Sequence, residues 1–208
     1  FIIKLGDIYE FWGRGLVLNQ FDDQVTGFDN GIRGLFFEYN NGPLTLSHIN
    51  GNSDIWHNLY STRIPDLKNI HNMSANRLNY NWNSASIGIA QLRSNEDHGS
   101  PSINLHHNIK GVNASWGSGN ADLFVEYVDK VSTERGAYEG APNDTLKKGH
   151  GYYQNFNYYF GNWGLSTEYK FYSFDKSYKD MAIDDYYGNR IEYQQMPTLG
   201  REHNSTLL

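Results

Sequence analysis

Gly151 to Phe174 reads GYYQNFNYYFGNWGLSTEYKFYSF, two runs of strand-forming residues joined by Gly161-Asn162-Trp163-Gly164. On the first arm Tyr152, Phe156, Tyr158 and Phe160 share a parity, with Asn155 and Asn157 on the other. On the return arm Leu165, Thr167, Tyr169 and Phe171 oppose Ser166, Glu168 and Lys170. Successive strand side chains point to opposite faces, so the stretch predicts a hairpin with one aromatic face and one polar face. Its link supplies residues that tolerate the positive φ of a tight turn. Such a sheet needs an apolar neighbour on one side and water or polar groups on the other, which a sandwich and a barrel can both provide.

The same pattern recurs upstream. Residues 32–49 form a hairpin across Asn40-Asn41-Gly42-Pro43, residues 71–93 form one across 81–84, and residues 103–130 form one across Gly117-Ser118-Gly119-Asn120. Near the start, Phe1 to Ile8 reads as the end of a strand, Tyr9 to Leu16 as a bend with Gly13 and Gly15 flanking Arg14, and Asp22 to Asn30 as a loop. Short turns near 40–43, 81–84, 117–120 and 161–164 thus alternate with long links near 50–68, 94–102, 131–149 and 175–190. Short connections at one end and long ones at the other are what an up-and-down barrel threaded through a membrane predicts. A Greek-key sandwich does not require that alternation. The expectation is an all-β, up-and-down antiparallel transmembrane β-barrel, with residues 1–208 a single segment of a larger barrel. The chain opens on Phe1 with no initiator Met and stops at Leu208 just after a polar run, which fits a segment. The alternative is a secreted or periplasmic β-sandwich that binds carbohydrate.

Composition narrows the function classes. Hydrophobic content of 38% and a mean hydropathy of −0.67 leave no apolar run near the roughly 20 residues of a membrane helix. Barrel strands need only about 9 to 11 residues with alternate ones apolar, so strand spans stay open. A net charge of −6 and scattered basic residues argue against nucleic-acid binding. The lack of cysteine removes disulfides and thiol chemistry. Aromatics stand out, with 16 Tyr, 11 Phe and 5 Trp beside 21 Gly. That mixture disfavours helix and suits sheets.

The runs Gly6-Asp7-x-Tyr9-Glu10, Gly13-Arg14-Gly15-Leu16 and Asp29-Asn30-Gly31-x-Arg33-Gly34, with the later Arg201-Glu202-His203, resemble an uncharacterised family of large outer-membrane β-barrel proteins of gram-negative bacteria. The resemblance implies a barrel fold, an outer-membrane location and a chain that is an internal segment. It implies no catalytic residue and no cofactor. Phe11 and Trp12 stand where smaller or polar residues are expected, and the chain has no closing C-terminal aromatic.

Four charged residues are candidates for a lumen or constriction: Asp7, Glu10, Arg14 and Arg33. Charges inside a pore select solutes by sign and size. The blander reading is that flanking glycines let these charges pair with one another or with backbone in a tight bend. Trp56, Trp82, Trp116 and Trp163 are candidates for an interfacial aromatic girdle or for stacking on sugars. Adjacent His106 and His107 face opposite ways in a strand and cannot share a metal. No H-E-x-x-H or G-x-S-x-G pattern is present, so neither metal nor catalytic residues are expected. The expected partners are a lipid bilayer and small solutes or glycans. Oligomeric state leaves no trace in the sequence.

Overall fold

The structure, a computed structural model, describes residues 1–23, 28–57, 67–97, 104–135 and 145–174. β1 (Ile2–Ile8) is followed by four two-residue strands, β2 (Phe11–Trp12), β3 (Leu18–Asn19), β4 (Asp22–Asp23) and β5 (Phe28–Asp29). The long strands follow: β6 (Ile32–Asn41), β7 (Leu44–His57), β8 (Leu67–Asn81), β9 (Ala85–Asp97), β10 (Asn104–Ser118), β11 (Ala121–Arg135), β12 (Thr145–Phe160) and β13 (Trp163–Phe174). Among the described residues β1 and β6 through β13 form one nine-stranded antiparallel sheet in which every long strand pairs with the next in sequence. This is an all-β, up-and-down barrel wall, open between β1 and β13. The sandwich alternative falls, because among the described residues sequential pairing leaves no second large sheet to stack on the first.

The connections at 42–43, 82–84, 119–120 and 161–162 are short. Gly161 takes φ 55°, the left-handed conformation its hairpin requires. The long links are shorter than the sequence predicts. β7 runs to His57 and β8 begins at Leu67, so most of the polar stretch assigned to a link at 50–68 is strand. Likewise β9 reaches Asp97, and β11 and β12 occupy much of 131–149. The link predicted at 175–190 lies outside the described residues.

The reason lies in how polarity is distributed along each strand. The register makes Tyr39, Leu46, Leu78, Ile89, Val112, Tyr127, Tyr152 and Phe171 one cross-strand row. On the same bare face, toward the short turns, lie Tyr80, Ile87, Val125 and Tyr169, then Trp116, Leu123, Phe156 and Leu165. Ile89 is 54% and Leu165 56% exposed. One row toward the long links, the bare face changes to His48, Asn76, Gln91, Lys110, Asp129 and His150. The opposite face does the reverse. It is Thr45, Asn79, Ser86, Ser115 and Asn155 near the short turns, and Phe36, Ile49, Ala75, Leu92 and Ile109 farther up. The apolar parity therefore inverts partway along β7 through β13, while β1 and β6 keep Ile3, Leu5, Leu35 and Phe37 on the bare face above that level. A strand that switches phase has no single period, so its upper half does not read as strand.

The buried upper face is covered by the chain itself. Residues 9–23 and 28–31 fold back across it, placing Trp12, Leu16, Val17 and Leu18 against Ile49, Leu92, Ile109 and Val128 in one core. We call this the covered face, and the other the bare face.

Candidate functional site

The folded-in segment is anchored by short-range geometry. Gly15 N–H donates to the Trp12 carbonyl at 2.9 Å, closing a turn with Gly13 at φ 63° and Gly15 at φ 81°. This turn brings the backbone onto Glu126 of β11: the Arg14 N–H donates to its Oε2 at 2.6 Å. A Cβ at position 13 would sit 2.7 Å from that oxygen, so glycine is required both for the backbone angle and for the approach. Glu126 is 2% exposed. A buried carboxylate needs donors, and the turn supplies them.

Arg14 then projects over two rings, its guanidinium carbon 5.4 Å from the centroids of both Phe124 and Tyr153. Tyr153 donates its hydroxyl to Glu168 at 2.7 Å, and Glu168 pairs with Lys170 at 3.1 Å. On the other side of the segment, Arg77 of β8 stacks 5.2 Å from the Trp12 ring and pairs with Glu38 at 3.3 Å. Asn30 ties down the far limb. Buried, it accepts from the Phe21 N–H at 2.6 Å and donates to the Asn19 carbonyl, while Ser53 of β7 donates to its carbonyl at 2.9 Å.

The four charged candidates separate. Glu10 pairs with Lys4 at 2.9 Å on the covered side, and Arg14 lies there too. Asp7 and Arg33, cross-strand partners, pair at 3.2 Å on the bare face, with side chains 62% and 78% exposed. The sheet that brings them together turns them away from Glu10 and Arg14, because their parity is that of Leu5 and Leu35. With Tyr9, Asp29, Gly31, Asn52 and Asp54 they line an open cleft of about 390 Å³. There the Tyr9 hydroxyl donates to Asp29 at 3.2 Å, and partial burial, with the Asp29 carboxylate beside it, pushes the phenol pKa up. Among the described residues no group of three or more acidic or imidazole side chains converges tightly enough to hold a metal. His106 meets Asn95 on one face and His107 meets Ser132 on the other.

Of the tryptophans, Trp82, Trp116 and Trp163 are 55%, 45% and 80% exposed and all stand near the short turns. Tyr80 packs edge-on to Trp82 at 4.9 Å. Trp56 lies in the part of β7 whose side chains are outside the described residues. The charged residues that sequence reading missed are Glu126, Arg77 and Glu38, which sit in strands that look ordinary. The one available signal was the apolar run Leu16-Val17-Leu18 inside a polar link, which needs something to cover it.

Gly111 gives this packing a direct test. A Cβ there would collide with Val17 Cγ2. Gly111→Val should therefore lower stability by about 1–3 kcal/mol, as overpacked cores do, and should push residues 9–23 and 28–31 off the wall. The check is a denaturant midpoint together with proteolytic cutting between Tyr9 and Asn30.

An antiparallel wall with sequential strands is the fold of an outer-membrane β-barrel protein of known structure. Among solved structures the chain is similar to the outer-membrane expressed OmpT of Vibrio cholerae, at a TM-score of 0.55 and 13% identity, over 74% of this chain and 48% of that one. The chain thus spans about half the length of that structure. A search of curated proteins finds no match. The sequence belongs to the family of unknown function DUF6029, whose family model matches residues 1–208.

Proposed function

We propose that the chain is part of an outer-membrane β-barrel that lets small polar solutes pass along the covered face, with residues 9–23 and 28–31 narrowing the way. The observation that carries this is the inversion of polarity. Near the short turns the bare face is a contiguous run of exposed apolar side chains across neighbouring strands, the kind of patch that marks an interaction surface, while the covered face at the same level is mostly amide and hydroxyl. Lipid outside and water inside accommodate both. Above that level the bare face of β7 through β13 turns polar, as a wall leaving the bilayer must. Trp82, Trp116 and Trp163 fall where an interfacial girdle belongs. In this reading no residue performs bond chemistry, no cofactor is needed, and the partners are the bilayer and the solute.

Two measurements test it. The full-length protein should need detergent to stay in solution and should migrate differently on a gel before and after heating. Reconstituted into planar bilayers, it should give discrete conductance steps. A heat-modifiable protein without steps would leave a structural barrel and remove the passage. A detergent-independent protein would remove the membrane assignment altogether.

A further inference from the structure

We propose that the covered face selects for uncharged, polyhydroxylated solutes of the saccharide class over ions, an inference that rests on the passage reading above and names its solute. It comes from how the charges on that face are disposed. A lone charge, or a ring of one sign, projects a field across a lumen and sorts solutes by charge. Here Lys4 lies 2.9 Å from Glu10, Arg77 3.3 Å from Glu38 and Lys170 3.1 Å from Glu168. The Arg14 side chain lies over aromatic rings that flank Glu126, whose carboxylate its own backbone N–H already holds. A close pair of opposite charges acts at a distance as a dipole, and salt screens what remains beyond about 10 Å.

Between the ion pairs and the short turns, the groups of the covered face that both donate and accept are neutral, and one carboxylate, Asp122, stands among them. Ser86 and Ser115 share a hydrogen bond at 2.7 Å. Asn157 donates to Asn155 and accepts from Ser166, and it also holds the carboxylate of Asp122. Half-buried Phe124 lies on the same face, in the same cross-strand row as Ser115 and Asn155. Hydroxyl-rich molecules match the amides and hydroxyls, because each hydrogen bond to water can be exchanged for one to this face. An ion gains no such replacement for its hydration.

The test uses the full-length protein in bilayers and vesicles, with three probes of nearly equal size: glucose, gluconate and glucosamine in its protonated form. Glucose should enter fastest, and the reversal potential in a KCl gradient should stay near zero. Faster entry of either charged probe, or a reversal potential close to that of one ion, would overturn the solute class while leaving passage intact. Entry of none of the three would remove passage and the solute class together. Lys170→Gln leaves Glu168 without its cation and should shift the reversal potential toward that of potassium. Adding Glu168→Gln should bring it back. If neither variant moves it, these side chains do not line the path and the inference fails.

Discussion

Trp12→Ala should cost about 3–5 kcal/mol, the usual loss for emptying a buried aromatic site, and the loss should be confined to the inward-folded segment. Trp12 is 1% exposed at the centre of the core that joins residues 9–23 and 28–31 to the wall, and its ring is the surface on which the Arg77 guanidinium rests. Removing it opens a cavity, while the hydrogen bonds of Arg77 to Glu38 and Ser47 are left in place. The cross-strand ladders of β6 through β13 do not involve Trp12, so the sheet should persist. The expected observation is rapid proteolysis within 9–31 of a protein that still shows heat-modifiable migration, accompanied by larger conductance steps. Trp12→Phe sharpens the result. Among the described residues the indole N–H has no hydrogen-bond partner, so a phenyl ring loses volume but no hydrogen bond there, and should keep most of the stability. Equal loss in the two variants, or loss of the whole barrel in either, would count against a separable segment.

The second large effect concerns the bare face. Ile89→Arg should destabilise the protein in a bilayer by about 2–4 kcal/mol, as a cation does at the midplane of a barrel's lipid surface. Gln91→Arg, one step along the same face of β9, should be nearly neutral because the row of Gln91 is already polar. Denaturant unfolding from lipid vesicles measures both. The contrast between adjacent outward positions is the informative quantity: a soluble sheet would show two similarly small effects, and a lipid-facing one would not.

Those two residues also mark what sequence reading can reach. The aromatic parity of Tyr152, Phe156 and Tyr158 and the glycine-bearing turns were legible because each is a local matter of side-chain alternation and backbone angle. Ile87 and Ile89 read as one face of a strand for the same reason. Past Gln91 the outward and inward roles exchange, and nothing within a short window distinguishes that from the end of the strand. Polar arms such as Asn50 to Asp54 therefore read as loop. The candidate site was harder still. Gly13-Arg14-Gly15 announces a tight bend, but its partner Glu126 lies 112 residues away, and only the register of β11 turns that carboxylate toward it. Phe11 and Trp12 looked like departures from a pattern. Trp12 is where the segment seals against the wall, while Phe11 is 54% exposed beside it.

The exchange of polarity along β7 through β13 also bears on alignment. In an ordinary amphipathic strand, sliding past a neighbour by two residues keeps every side chain on its proper side, so facing alone leaves the height undetermined. Here such a slide would raise Ile87 and Ile89 toward the polar zone or draw Lys110 and Asp129 down among the apolar side chains. Each of β7 through β13 carries its own change of polarity, and seven neighbours that change at one level can agree on their alignment before the sheet is complete.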